Sequence, residues 1–242
     1  MLNNIMTEGE CSKLRSLIHH ANNIVLCCHV SPDGDAIGSV LGMAEVLKCM
    51  GKEPVMVVPD QFPDYLQWLP NTEKIVRYDK RSDYVDMVLK IADLVICLDF
   101  NALSRTDDME DAMEACTAPR VLLDHHHNPS IACQVCVSHP NMSSASELVF
   151  RVAWQLGLFE QLGRHFATAV YCGMMTDTGG FTFNSSRPEI FFIICQLLTK
   201  GIDKDKIYRN VYNNYSSWAI RLRGFLMSQK LNVLDDLHAS YY

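Results

Sequence analysis

The sequence predicts an α/β fold, a mainly parallel sheet with helices on both faces, followed by a helical segment. Three observations carry this. Short apolar runs alternate with amphipathic stretches through the first half of the chain, the pattern of strands buried on both faces and joined by crossover helices. Acidic and imidazole side chains gather where those runs stop, and beyond Pro140 the pattern becomes almost wholly helical.

Taken in order, Met1 to His20 reads as a helix because Thr7-x-x-Glu10 has the spacing of a capping box. Ile24 to Val30 is the first buried strand, Ala36 to Met50 a helix closed by Gly51, and Pro54 to Val58 a second strand. Leu94 to Phe100 and Arg120 to His126 are further strands. Between them, Ser82 to Ala92 and Asp108 to Cys116 have helical spacing, with Ser82 and Asp107 or Asp108 as caps. Ser144-x-x-Glu147 opens a helix to Gly157, and Gln161 to Met175, Pro188 to Lys200, Lys204 to Tyr212 and Trp218 to Asn232 follow. Leu231 to Leu237 reads as a connector, and His238 to Tyr242 as the first residues of another strand. No repeat, low-complexity segment or flexible linker divides the chain before about residue 200.

With 242 residues and 48% hydrophobic content, the chain is able to bury a substantial core. Its 21 Lys and Arg against 28 Asp and Glu give a net charge of −7. That balance excludes a broad basic surface for duplex DNA, so any nucleic-acid substrate must be short or gripped locally. The longest strongly apolar stretch, Ile190 to Leu198, is far below the roughly 18 residues of a membrane span. The start lacks the charged and apolar regions of a secretion signal. A cytoplasmic protein without membrane contact is expected. Of ten cysteines, Cys27, Cys28, Cys97, Cys172 and Cys195 sit inside apolar runs and read as reduced core residues. Cys133-x-x-Cys136 lies in a strand-like stretch without further ligands nearby and also reads as structural.

Four segments carry chemistry, each placing carboxylates or imidazoles near the end of an element, where open α/β sheets build their crevice. They are His29-Val-Ser-Pro-Asp33-Gly-Asp35-Ala-Ile-Gly38-Ser39, then Asp99, then Asp124-His125-His126, then Thr176-Asp177-Thr-Gly-Gly-Phe181. Carboxylates collected in one crevice repel one another and raise each other's pKa unless cations neutralise them. Oxygen and imidazole ligands without thiolate favour Mn²⁺, Mg²⁺ or a similar octahedral ion. Two ions about 3.5–4 Å apart can activate a water and clamp a phosphoryl oxygen, which points to a phosphoester hydrolase.

The ordered set HxxPDGDAIGS, LDFNALSR, DHH and TDTGGF resembles the DHH phosphoesterase superfamily, and most of all its branch of oligoribonucleases and 3′-phosphoadenosine-5′-phosphate phosphatases. The resemblance spans about Ile24 to Leu237. It implies one metal held by His29, Asp33 and Asp99, and a second by Asp35, Asp99, His125 and Asp177, with Asp99 bridging. Two Mn²⁺ ions are expected, with Mg²⁺ or Co²⁺ as substitutes. By the same resemblance His126 faces the substrate phosphate and Asp124 orients the histidines beside it. Arg105 follows the bridging Asp99 and could reach a phosphate; the alternative is a surface pairing with Asp107 or Asp108. Ser39 and Gly38 open a helix whose free N–H groups could bind an anion, the alternative being simple capping. Alternation along a strand turns His125 and His126 to opposite sides unless the strand has already ended. Residues 1–200 are expected to form the catalytic domain. Residues 201–242 are expected to be a helical connector and the start of a C-terminal substrate domain, whose GGGH motif the sequence lacks. The expected substrate is a short RNA or nucleotide; a pyrophosphate or polyphosphate substrate and a non-catalytic nucleotide- or metal-binding role are the alternatives.

Overall fold

In the computed structural model, which describes residues 2–242, the apolar runs form one six-stranded sheet in which every pairing is parallel. Its strands are β1 (Ile24–Cys27), β2 (Val55–Val58), β3 (Val76–Arg77), β4 (Leu94–Leu98), β5 (Arg120–Asp124) and β6 (Val135–Ser138), in the order β3-β2-β1-β4-β5-β6. The order reverses direction between β1 and β4, and a crevice opens at such a switch point beyond the carboxyl ends of the strands.

The connecting helices are α1 (Glu8–His20), α2 (Gly34–Cys49), α3 (Tyr78–Lys90), α4 (Glu110–Ala115), α5 (Ala145–Gln155), α6 (Arg164–Asp177), α7 (Pro188–Thr199), α8 (Lys204–Tyr212) and α9 (Ser217–Phe225). Side chains alternate across the sheet, which builds two cores. Leu26, Ile96, Leu98, Val121 and Leu123 face α1, α2 and α5 to α8, whereas Val25, Cys27, Val57, Val95, Cys97 and Leu122 face α3 and α4. At the centre of the larger layer Gly38 of α2 lies against α6. A Cβ there would sit 2.7 Å from the Ala169 carbonyl oxygen and 2.9 Å from the Gly173 Cα, so the two backbones touch.

The capping box at Thr7 and Glu10 forms as read, with α1 beginning at Glu8; Met1 lies outside the described residues. Other expectations need correction. The strands stop earlier than expected, at Cys27, Leu98 and Asp124, because the residues that follow turn into the crevice loops. Ser82 does not cap: Arg77 stands at the N-cap of α3, and a kink at Arg81 sets its first turn apart. Asp107 and Asp108 lie in a 3₁₀ turn over Leu103–Met109, and α4 starts only at Glu110. Cys195 is exposed, because α7 buries Ile190, Ile193 and Leu197 and turns Cys195 to the opposite side. Cys136 is exposed too, whereas Cys27, Cys28, Cys97 and Cys172 are buried and all ten thiols are free. After α9 a π-helical turn runs to Lys230, and β7 (Asn232–Leu234) pairs antiparallel with β8 (Ala239–Tyr241) instead of forming a connector. None of these last elements buries a residue. Among the described residues no helix is long and apolar enough to cross a membrane.

Candidate metal centre

The first residue of the site is placed by the loop after β1. Ser31 is held at a positive φ of 51° by its N–H donating to Asp60 Oδ1 at 2.6 Å, and Val30 N–H donates to the Arg105 carbonyl at 2.7 Å. His29 is thereby turned so that Nδ1 lies 2.7 Å from the Val30 carbonyl oxygen. A carbonyl can only accept, so Nδ1 carries the proton and Nε2 offers a lone pair to the crevice. Nε2 is 3.5 Å from Asp99 Oδ2 and 4.0 Å from Asp33 Oδ1. Asp33 doubles as the N-cap of α2, accepting the N–H groups of Asp35 and Ala36 through Oδ1.

Asp99 follows β4 at the switch point and is 2% exposed. Its φ of +65° is a left-handed conformation that costs energy in a residue with a Cβ and persists where the surroundings impose it. Oδ1 of Asp99 is buried without a hydrogen-bond partner. It lies 3.3 Å from His125 Nε2 and 3.8 Å from His126 Nδ1. His125 Nε2 is also 3.8 Å from Asp177 Oδ2 and 3.9 Å from Asp35 Oδ2. Since β5 ends at Asp124, the two histidines belong to a loop, and their rings stand 4.8 Å apart on the same side instead of opposite sides. Asp124 Oδ1 accepts from His126 Nδ1 at 2.7 Å.

Asp35 is wholly buried, and its oxygens accept the N–H groups of Ala145 at 2.6 Å and Ser146 at 2.8 Å, the first amides of α5. Free amides at a helix start favour a negative charge. Asp177 is the last residue of α6. The contact of Gly38 with α6 and the seat of Asp35 on α5 bring α2, α5 and α6 together behind the crevice, so Asp35 and Asp177 reach the same imidazole from different helices.

The electrostatics follow from this crowding. Burial pushes Asp99 up, but His125 and His29 outweigh it and hold the carboxyl at about 2. Burial opposes a charge on His125, yet Asp99, Asp35 and Asp177 raise it to about 10. Burial raises Asp177 to about 6, reinforced by Asp99 and Asp33 against His125. Burial, with Asp99 and Asp177, also raises Asp35. A divalent cation would relieve the repulsion among these carboxylates and give the orphaned Asp99 oxygen its missing partner. Two donor groups are close enough to hold one, His29 with Asp33 and Asp99, and Asp35 with His125 and Asp177; Asp99 with His125 and His126 is a third combination.

Ser39 does not reach the crevice, since it is wholly buried in α2 and its hydroxyl donates to the Ala36 carbonyl at 2.9 Å. Gly38 serves helix packing instead of exposing amides. Arg105 forms no ion pair with Asp107 or Asp108 among the described residues; its carbonyl steadies the His29 loop. His127 is exposed, and its carbonyl accepts from Asn101 Nδ2. The amides of Ala145 and Ser146 stand outside the site residues that the sequence predicts. The capping pattern at Ser144 was the signal, because it marks a helix start whose free N–H groups need an acceptor.

Residues 23–174 match the DHH family, N-terminal domain. A bifunctional oligoribonuclease and PAP phosphatase of Thermus thermophilus is 31% identical over 181 residues, which cover 74% of this chain and 50% of that protein. The Bacillus subtilis protein of the same description is 23% identical over 229 residues, covering 91% and 66%. The crystal structure of an exopolyphosphatase-related protein from Bacteroides fragilis superposes with a TM-score of 0.96 at 44% identity, over 99% of this chain and 70% of that one. The chain thus spans about half the length of its Thermus relative and about two thirds of the Bacillus protein.

Proposed function

Because the chain belongs to the DHH family, carrying its N-terminal domain, we propose that it is a metal-dependent phosphoesterase acting on short oligoribonucleotides or 3′-phosphoadenosine 5′-phosphate. The observation that carries this reading is Asp99, a buried carboxylate in a strained backbone, with one oxygen toward His29 and the other, unpartnered, toward His125. His29, Asp33 and Asp99 would hold one ion, and Asp35, Asp99, His125 and Asp177 the second. Mn²⁺ is the ion of choice for such a donor set, with Mg²⁺ or Co²⁺ able to replace it. When bound, the two ions would lower the pKa of a water and offset charge on the phosphoryl oxygens.

The chain's own residues supply the rest. His29, with its proton fixed on Nδ1 by the Val30 carbonyl, presents a ready lone pair. Asp35 is seated by the first amides of α5, which hold both of its oxygens in place. His126, tethered at Nδ1 by Asp124, keeps Nε2 for the substrate phosphate, and Arg105, in the turn after β4, is a second phosphate contact. Residues 1–200, with α8 whose Ile207 and Val211 are buried in the larger core, make up the catalytic domain, and the residues after Tyr212, none of them buried, are the segment left to serve as connector.

The description of the Thermus relative supports the nucleotide substrates. The description of the Bacteroides protein, at 44% identity, favours a second reading in which polyphosphate is cleaved by the same site. The test is turnover of a ribodinucleotide, 3′-phosphoadenosine 5′-phosphate and tripolyphosphate by Mn²⁺-loaded protein, with Asp99→Asn as control. Cleavage of either nucleotide that is lost in Asp99→Asn supports the first reading, and cleavage of tripolyphosphate alone the second. Two bound ions with no turnover of any of the three would leave a binding module.

A further inference from the structure

α6 carries Asp177 at one end, and its first turn opens onto a cavity of about 330 Å³ at the other, about 20 Å away by helical rise. Trp68, Pro70 and Ile207 form apolar walls, and Arg164, His165 and Lys206 bring three basic side chains to the same space in a chain of net charge −7. None of the three enters an ion pair among the described residues. The acidic residue of the cavity, Asp203, is engaged as the N-cap of α8, accepting the Lys206 N–H at 2.9 Å.

Thr168 lies one turn beyond Arg164 on the cavity side of α6 and is 8% exposed. Thr176 and Thr178, on the same helix and at its end, donate their hydroxyls to carbonyls one turn back. The Thr168 hydroxyl has no hydrogen-bond partner among the described residues, although the residue is nine-tenths buried, and it is free to meet a ligand. The N-cap of α6 is Gly163, which has no side chain to satisfy the first amides. A cavity of this size stands at the small end of the roughly 300–1,000 Å³ range of ligand clefts.

We propose that this cavity is a binding site, separate from the acidic crevice, for a nucleoside monophosphate. The phosphate takes Arg164, Lys206, the Thr168 hydroxyl and the first amides of α6, and the base lies against Trp68, whose indole N–H is already satisfied by the Tyr65 carbonyl at 2.7 Å. Each part of the ligand meets a group that lacks a partner within the chain or an apolar wall.

Calorimetric titration of the full chain with AMP, adenosine and inorganic phosphate, in EDTA, tests this without reference to any activity. AMP is expected to bind more tightly than phosphate, and adenosine not measurably. Binding should persist in Asp99→Asn/His126→Ala and weaken at least about tenfold in Arg164→Ala/Lys206→Ala, since charge-assisted hydrogen bonds are lost. Thr168→Val, which keeps the shape and removes the hydroxyl, should weaken it several-fold with unchanged circular dichroism. AMP binding that is indifferent to Arg164→Ala/Lys206→Ala, or that disappears in Asp99→Asn/His126→Ala, would overturn the site. Equal affinity for phosphate and AMP would overturn its assignment to a nucleotide.

Discussion

Nδ1 of His126 is 2.7 Å from Oδ1 of Asp124, while the other Asp124 oxygen is buried without a partner. The carboxylate is committed to aiming one imidazole. His126→Ala is therefore expected to retain two metal ions and to lose about 10²–10³ in turnover at saturating substrate, the usual scale for a lost oxyanion contact. Asp124→Asn should cost about 10–100-fold, as lost orienting partners do. Metal analysis alongside turnover checks both, and loss of an ion from His126→Ala would reverse the roles given to the two histidines.

His125 stands among Asp99, Asp35 and Asp177 and is raised to about 10, so the metal-free protein holds it protonated at neutral pH. A ligating imidazole must give that proton up. Metal binding at pH 7 should release protons, and affinity should rise with pH and collapse in acid, where Asp177, raised to about 6, is also protonated. Calorimetry in two buffers of different ionisation enthalpy counts the protons. No release would mean that His125 does not ligate.

Glu147 is wholly buried in α5, accepting from the N–H and hydroxyl of Ser143 and pairing with Arg151 at 2.8 Å and Arg187 at 2.6 Å. Burial pushes its carboxyl up, but Ser143, Arg187 and Arg151 prevail and hold it below its ordinary value. A depressed folded pKa stabilises above the unfolded value near 4.3 and loses that contribution as pH falls through the folded one. Glu147→Gln, which leaves Arg151 buried and unpaired, should cost about 3–5 kcal/mol at pH 7 and much less in strong acid. Urea unfolding at the two pH values measures the difference; equal losses at both would rule out the charge as the cause.

Gly38 touches the backbone of α6. Gly38→Ala is expected to destabilise by about 1–3 kcal/mol, since neither backbone can yield to the added methyl as a flexible side chain could. It should also weaken metal binding by shifting Asp35 relative to Asp177. Thermal unfolding and metal affinity measured on one preparation would show the two effects together; a stable variant with intact affinity would contradict the close approach.

The parallel sheet and the convergence of His29, Asp33, Asp35, Asp99, His125 and Asp177 were legible because buried strands announce themselves as apolar runs and the crevice follows from where those runs stop. Two-residue β3 has no periodicity to read. The strand ends at Cys27 and Leu98 lie short of the expected ones because apolar character continues after the backbone has turned, as Phe100 shows by being buried outside any strand, and at Asp124 because no change of residue type marks where His125 and His126 enter the loop in place of the strand. Ser39 was misjudged because a polar residue in a helix facing another helix looks, in sequence, like one facing water. Glu147 was read as half of a capping box with Ser144; its carboxylate instead serves Ser143 and the two arginines, partners that only tertiary packing supplies.

The donors of the crevice come from the ends of β1, β4 and β5 and from α2 and α6, so neither donor group is complete within one stretch of sequence. During synthesis the donor group of Asp35, His125 and Asp177 is incomplete until Asp177 has left the ribosome and α6 has docked on α2. Parallel pairing over long sequence separations is slow to assemble. Uptake at that group therefore reports completed folding instead of seeding it, and the rate at which a refolding chain fills it should match the last phase of burial.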